Sequence, residues 1–161
     1  MKVDFKPLTN EAIEILSMST GVDYSNTEFS DENTWFCVTV RRRGRIALIV
    51  VFEFKSWCDA HVSTVCLDPR ALTRRLLTAM TRAIFTRAAR ITAHIDPSNQ
   101  AALNQVWRMG FKYEGYLRRG IEGTRDAVVF GLLPEDCPYL AGEPFRWKRA
   151  EITHDMQPGV H

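Results

Sequence analysis

Two Asp–Pro pairs, Asp68–Pro69 and Asp96–Pro97, constrain the fold of this 161-residue chain more than any other feature. Each pair follows a short strand-like segment and precedes a stretch in which apolar residues recur at helical spacing. Because aspartate caps helices and proline suits their first turn, each pair predicts a strand that leads directly into a helix. The predicted strands are His61–Leu67 and Arg90–Ile95, and the predicted helices are Arg70–Ala89 and the segment from Asp96–Pro97 to Met109.

Further elements surround these two strand–helix units. A first helix is predicted over residues 8–18, with Thr9 or Asn10 as its cap. β-branched and aromatic residues predict four more strands, at Trp35–Val40, Arg45–Phe54, Phe111–Leu117 and Ala127–Leu133. This order of elements predicts a mixed α/β (α+β) fold, with helices packed on a mostly antiparallel sheet.

The composition excludes several classes of protein. Apolar residues make up 45% of the chain and charged residues 25%, which excludes disordered, collagen-like and disulfide-scaffold proteins. No apolar run approaches the roughly 20 residues of a membrane helix, and the segment Met1–Lys6 has no apolar core of a signal peptide. We therefore expect a soluble, cytoplasmic protein without a membrane partner.

The cysteines and histidines do not predict a metal site. Cys37, Cys58, Cys66 and Cys137 form no C-x-x-C pair, and we expect all four to be buried free thiols. Cys58 and Cys66 lie on the same face of one extended segment that includes the predicted strand His61–Leu67, so a disulfide between them would require a bend. The four histidines are too scattered along the chain to predict a set of metal ligands.

The last part of the chain differs from the rest. We expect one domain over residues 1–135 and a C-terminal extension over residues 136–161 that is rich in proline and aromatic residues. Because ordered termini need contacts that hold them, we expect the extension to bury Phe145 and Trp147. It packs either on its own domain or on a partner, including a second copy of the chain.

Arginine dominates the basic residues, at 16 of the 21 lysines and arginines. A guanidinium group binds phosphate in a two-pronged geometry that lysine cannot copy, so binding of an anion is one interpretation. Arg41, Arg42, Arg43 and Arg45 surround the predicted hairpin turn. A solvated turn is the more common explanation of such a run, and we do not expect nucleic acid as a partner.

The second half of the chain carries a pattern that points to a family. It reads Asn99-x-x-Ala102, then Gly110-Phe111, then Glu114-Gly115-x-x-Arg118. This spacing resembles the GNAT superfamily of N-acetyltransferases, most closely the branch that acetylates the N-terminal amines of ribosomal proteins. The resemblance covers roughly residues 35–135 and implies a mostly antiparallel sheet of about six or seven strands flanked by helices.

The resemblance also implies acetyl-CoA as cofactor and no metal. Family members bind the pyrophosphate with a glycine-rich loop that opens the long helix, and here that loop contains no glycine. Asp68 is predicted to cap the helix and to repel phosphate. Arg70, Arg74 and Arg75 either replace part of the amide contacts with side-chain contacts or form a solvated helix face, which is the more usual arrangement on an amphipathic helix. The residues predicted to bind the cofactor are Leu67, Arg70, Ala71, Leu72, Thr73, Arg74, Arg75, Asn99 and Ala102.

Candidates for acid–base chemistry are few. Family members commonly use a glutamate on the strand before the long helix, and a tyrosine on the second helix, where this chain has Val106. His61 is the best candidate for the general base, because histidine takes up a proton most readily near neutral pH. Glu53 is the second catalytic candidate.

Two functions remain open from the sequence. The first is an N-acetyltransferase that moves acetyl from acetyl-CoA to an amine, either in a small molecule or at a protein N-terminus. The second is a GNAT-fold protein that no longer binds CoA and acts as a structural or interaction module, such as a phage component located in the virion. The resemblance supports the first, and the loop without glycine supports the second.

Overall fold

The computed structural model describes residues 1–140, so the predicted burial of Phe145 and Trp147 lies outside the described residues. The helices are α1 (Asn10–Thr20), α2 (Arg74–Phe85) and α3 (Gln100–Arg108), with single turns of 3₁₀ helix at Pro69–Ala71 and Pro134–Asp136. The strands are β1 (Lys2–Asp4), β2 (Trp35–Arg42), β3 (Arg45–Phe54), β4 (Asp59–Cys66), β5 (Arg90–Ile95), β6 (Lys112–Ile121) and β7 (Arg125–Leu132).

The seven strands form one sheet in the order β1-β2-β3-β4-β5-β7-β6. Every neighbouring pair is antiparallel except β4 and β5, which run parallel. The predicted fold class is confirmed, and the strand number agrees with the resemblance. Strand β1, which pairs with β2 at the edge of the sheet, was not predicted. Its three residues are too few to show a recognisable strand pattern.

Helices cover the sheet on both faces. Helices α2 and α3 pack on one face over the main core, which includes Leu77, Leu103 and Phe130. Helix α1 packs on the opposite face through Ala12 and Leu16, against residues of β2, β3 and β4. Within residues 1–140, no helix combines the length and apolar character that crossing a membrane requires.

The predicted starts of the two later helices were wrong. Asp68 caps only the short 3₁₀ turn, by accepting from the Arg70 amide, and α2 begins after Thr73, whose hydroxyl accepts from the Leu76 amide. Asp96 likewise forms a turn with Ser98, and Asn99 caps α3. In both cases a second capping side chain further along the chain starts the helix.

The remaining element predictions were closer. Thr9 caps α1 as predicted, and Gly21 ends that helix in a left-handed conformation. All four cysteines are free, but Cys58 is half-buried and Cys66 is exposed, so the prediction of burial was wrong for these two. Cys58 precedes β4 instead of lying within it, and Cys66 occupies the exposed end of that strand.

The start of the predicted extension belongs to the main core. Cys137 and Tyr139 are both 2% exposed and pack with residues of the sheet. They follow the 3₁₀ turn at Pro134–Asp136, which lies against the corner between α3 and β6 at Gly110. The segment just after β7 therefore stabilises the same corner that the Gly110–Phe111 pattern marks.

We expect Gly110→Ala to destabilise the protein more than Gly44→Ala. Both glycines have positive φ, 90° and 79°, so alanine costs about 1 kcal/mol of backbone strain at either position. At Gly110 the added Cβ would also meet the Asp136 carbonyl oxygen at 2.6 Å, whereas nothing lies within 4 Å at Gly44. Urea denaturation should show about 1–3 kcal/mol of additional loss for Gly110→Ala. Equal losses would contradict the packing of residues 134–138.

Candidate functional site

Strands β4 and β5 separate shortly after they meet. Their pairing consists of three residue pairs and ends where His61 lies opposite Thr92. Beyond this point β4 continues to Cys66 and β5 to Ile95, each paired only with its antiparallel neighbour. Beyond His61 and Thr92, β4 and β5 no longer exchange the hydrogen bonds of a parallel ladder. A gap lined by backbone polar groups therefore opens between these two strands, in the middle of the sheet.

His61 lies at the closed end of this gap and is held by Asp59. The His61 Nε2 atom is 3.1 Å from Asp59 Oδ2, and the other carboxylate oxygen accepts a 2.7 Å hydrogen bond from the Thr92 hydroxyl. The two side chains are 29% and 25% exposed. When Nε2 carries the proton donated to Asp59, Nδ1 holds a lone pair and can accept a proton.

These side chains lie on the α1 face of the sheet. Val65 packs with α1 in the smaller core, and side chains alternate between faces, so Asp59, His61 and Ser63 lie on the same face as Val65. Ile91 and Ala93 pack in the main core, which places Thr92 and His94 on the α1 face. The face therefore combines residues from both separating strands.

His94 packs against His61 from the neighbouring strand. The two ring centroids are 5.1 Å apart, in an edge-on arrangement. The pKa of His94 is lowered, mainly because its ring is partly removed from solvent and to a lesser extent because the His61 ring is nearby. His94 is therefore uncharged at neutral pH, and its ring adds no positive charge next to the base candidate.

Glu53 and Tyr24 border the same face. Glu53 lies opposite His61 in the register of β3 and β4, but its carboxylate is paired with Lys55 Nζ at 2.6 Å. Tyr24, in the segment between α1 and β2, is close enough for the Ser63 side chain to hydrogen-bond with its hydroxyl. Burial raises the pKa of Tyr24, so its hydroxyl remains protonated at neutral pH.

The face continues across β5 to the far strands. The Arg90 guanidinium donates to Thr92 Oγ1 at 3.1 Å and forms an ion pair with Glu114 of β6. Arg90 thus connects the Asp59–Thr92 contact to Glu114, one of the residues that carried the resemblance. This connection fixes Thr92, which in turn orients the Asp59 carboxylate.

Hydrogen bonds and ion pairs hold the first residues of the connection from β4 to α2 in place. The amides of Leu67 and Asp68 both donate to the Ala47 carbonyl, at 2.8 and 3.0 Å. The Asp68 carboxylate contacts Arg42 at 2.5 Å and Arg70 at 3.0 Å, and Arg70 as the larger cause holds its pKa down to about 2. Asp68 therefore does not occupy the first turn of α2, contrary to the prediction.

The predicted cofactor residues that follow fall into two groups. Ala71 is buried and Leu72 packs against the main core, and their amides already donate to the carbonyls of Asp68 and Pro69. Thr73 caps α2, and Arg74 and Arg75 are exposed in its first turn. Because amides at a helix start have no carbonyl partner within the helix, this turn is suited to anions.

Asn99 and Ala102 meet at the start of α3. The Asn99 Oδ1 atom accepts from the Ala102 amide at 3.1 Å and so caps the helix. Asn99 follows β5, and its side chain is exposed. The cap uses only the oxygen, so the amide NH₂ group stays available to a ligand.

Sequence reasoning missed several residues of this face. His94 was dismissed with the scattered histidines, and Arg90, Thr92 and Tyr24 carried no signal of their own. The alternation along β4 and β5 would have placed His61, Thr92 and His94 on one face once the parallel pairing was known. Among residues 1–140, no group of three or more histidine, cysteine or acidic side chains is arranged to hold a metal ion.

Comparison with known proteins establishes the fold. No protein-family model matches the chain, and no curated protein matches it. Solved structures do match. One is a chimera of the spermidine N-acetyltransferase SpeG from Vibrio cholerae with hSSAT, at 16% identity and a TM-score of 0.62, covering 88% of this chain and 99% of that chain.

Two further structures agree. A GNAT family acetyltransferase from Elizabethkingia anophelis with acetyl-CoA bound has 10% identity and a TM-score of 0.58, covering 81% of this chain and 97% of that one. The ribosomal-protein-S18-alanine N-acetyltransferase from Escherichia coli has 14% identity and a TM-score of 0.55, covering 82% and 94%. The chain therefore has the GNAT fold.

We expect Asn99→Ala to lower the free energy of unfolding by about 1 kcal/mol, because it removes the cap of α3. Asn99→Ser should retain most of the stability, since a serine hydroxyl can accept from the same amide. Urea denaturation measures both. Equal stability of the alanine variant and the unchanged protein would show that the cap contributes little.

Proposed function

We propose that this chain is an N-acetyltransferase that moves the acetyl group of acetyl-CoA to an amine, in a small molecule or at a protein N-terminus. The observation that carries the proposal is the position of the His61–Asp59 pair, at the point where β4 and β5 separate. A base candidate thus lies at the closed end of a gap that leads to the start of α2. The GNAT fold supports the same activity.

The residues around the gap fit acetyl-CoA. When bound, its thioester would supply an activated acetyl group, and the amides of its pantetheine arm would find hydrogen-bond partners in the backbone of Val62–Cys66, which β5 leaves unpaired. The first turn of α2 suits the pyrophosphate, with the exposed Arg74 and Arg75 adding positive charge. Asn99 and Ala102 lie at the start of α3, the helix that follows β5.

His61 is proposed to take a proton from the attacking amine. Asp59 holds the imidazole through Nε2, so Nδ1 is the accepting atom. Thr92 and Arg90 keep the Asp59 carboxylate oriented. As the amine nitrogen bonds to the acetyl carbon, its proton passes to Nδ1 and the sulfur leaves as thiolate, which makes this a direct transfer with general-base assistance.

Tyr24 is proposed as a proton donor to the departing thiolate. Burial raises the pKa of Tyr24, so the hydroxyl is protonated, and its Ser63 contact places it two residues along β4 from His61. The tyrosine that family members carry on the second helix is Val106 here, and that side chain is buried and cannot donate a proton. Tyr24, in the segment between α1 and β2, would supply the proton donor that Val106 cannot.

One observation favours the alternative of a structural or interaction module. The first turn of α2 contains Arg75 and Leu77 and no glycine, so side chains replace the open backbone surface that a glycine-rich loop presents to a pyrophosphate. Binding of acetyl-CoA separates the two functions. The alternative requires that none binds.

We expect acetyl-CoA to raise the melting temperature by several degrees at a concentration about a hundredfold above its Kd. Such an excess stabilises the native state by about 2.7 kcal/mol. For a domain of this size, that stabilisation raises the melting temperature by several degrees. Arg75→Ala should reduce the shift, and Arg118→Ala, an exposed arginine on β6, should not. An unchanged melting temperature at millimolar acetyl-CoA would favour the module.

We expect His61→Gln to lower kcat by about 10²–10⁴-fold, the usual contribution of a general base. The variant should show the same melting shift with acetyl-CoA as the unchanged protein, because His61 is not needed to bind the phosphates. Release of free thiol in the presence of an amine acceptor measures the rate. Full activity of the variant would exclude His61 as the base.

A further inference from the structure

A concave pocket lies between the β2–β3 hairpin and the connection from β4 to α2. Its volume is about 550 Å³, within the usual range for small-molecule sites. Arg42, Arg43 and Arg45 line it from the hairpin, and Asp68 and Arg70 line it from the connection. We call this the arginine pocket.

The arginine pocket has an excess of positive charge. The single carboxylate in it, Asp68, contacts both Arg42 and Arg70. Arg43 and Arg45 are exposed, and neither forms an ion pair with any described residue. Two guanidinium groups therefore remain to bind an anion, beside a cluster in which one carboxylate already contacts two other arginines.

Both walls of the arginine pocket are held in place. Arg43 has φ of 51° and Gly44 of 79°, as in the tight two-residue turns that join twisted strands. The opposite wall is fixed by the two amides that donate to the Ala47 carbonyl and by the Asp68 ion pairs. The backbone of both walls therefore needs little ordering when a ligand enters, which favours binding.

The pocket shares a wall with the proposed cofactor site. The segment that begins at Leu67 and Asp68 lines the pocket and then leads to Thr73, which starts α2. Leu67 is 55% exposed and offers an apolar surface beside the arginines. A ligand with a phosphate, an aromatic base and an attachment to the first turn of α2 matches this arrangement.

We propose that the arginine pocket binds the phosphorylated adenosine end of CoA, with Arg43 and Arg45 contacting the 3′-phosphate. The proposal rests on the proposed function, because it names further residues for the same cofactor. A concave pocket with an apolar wall fits a nucleoside phosphate better than the continuous backbone of a nucleic acid, for which an extended basic surface is typical.

The test compares CoA with dephospho-CoA, which lacks only the 3′-phosphate. Calorimetry measures the Kd of both for the unchanged protein, for the double variant Arg43→Gln/Arg45→Gln, and for a matched double variant, Lys6→Gln/Arg118→Gln. The control removes two exposed positive charges outside the pocket. Affinity for dephospho-CoA reports whether each variant keeps a folded cofactor site.

We expect the unchanged protein and the control to bind CoA at least about tenfold more tightly than dephospho-CoA, the scale of hydrogen bonds to a charged group. The Arg43→Gln/Arg45→Gln variant should lose that preference and retain its affinity for dephospho-CoA. Equal affinities for the two ligands in the unchanged protein would overturn the proposal and leave the proposed function standing. Binding of neither ligand would overturn both.

Binding of a short DNA duplex tests whether the arginine pocket belongs to a nucleic-acid surface instead. If it binds more tightly than CoA, with an affinity that falls steeply with salt and disappears in the Arg43→Gln/Arg45→Gln variant, the pocket is part of a nucleic-acid surface and the proposal is wrong. Weak duplex binding that the two double variants share equally is expected from net charge alone and agrees with the proposal.

Discussion

The separation of β4 and β5 is the constraint on which the rest of the site depends. These two strands run parallel and share three residue pairs, and after His61 and Thr92 each continues with a partner on one side only. A sheet that remained paired would bury its backbone groups and leave no space between the strands. Because the strands separate, the start of α2 and the imidazole of His61 border one gap.

Charge around the connection from β4 to α2 decides what this gap accepts. Asp68 would repel phosphate if it capped α2, but it is neutralised by Arg42 and Arg70, and Thr73 caps the helix in its place. The uncharged threonine cap and the exposed Arg74 and Arg75 leave the helix start positive. The objection that the sequence raised against acetyl-CoA is therefore weaker in the folded chain.

The fold could be predicted because its signals are local. Runs of β-branched, aromatic and apolar residues located six of the seven strands, and Gly110, whose φ is 90°, directly follows the predicted end of α3 at Met109. The helix starts were misplaced because Asp68 and Thr73 are both good caps, and only the packing of Ala71 and Leu72 decides between them. The contact of His61 with His94 could not be predicted, because it depends on how far two strands distant in sequence stay paired.

Backbone NMR with acetyl-CoA tests most directly whether the gap between β4 and β5 is the ligand site. We expect amide resonances of Val62–Cys66, of the first turn of α2 and of the start of α3 to shift on titration, while those of β1 and the far end of β6 remain unchanged. Shifts confined to other surfaces, or no shifts at millimolar acetyl-CoA, would contradict it.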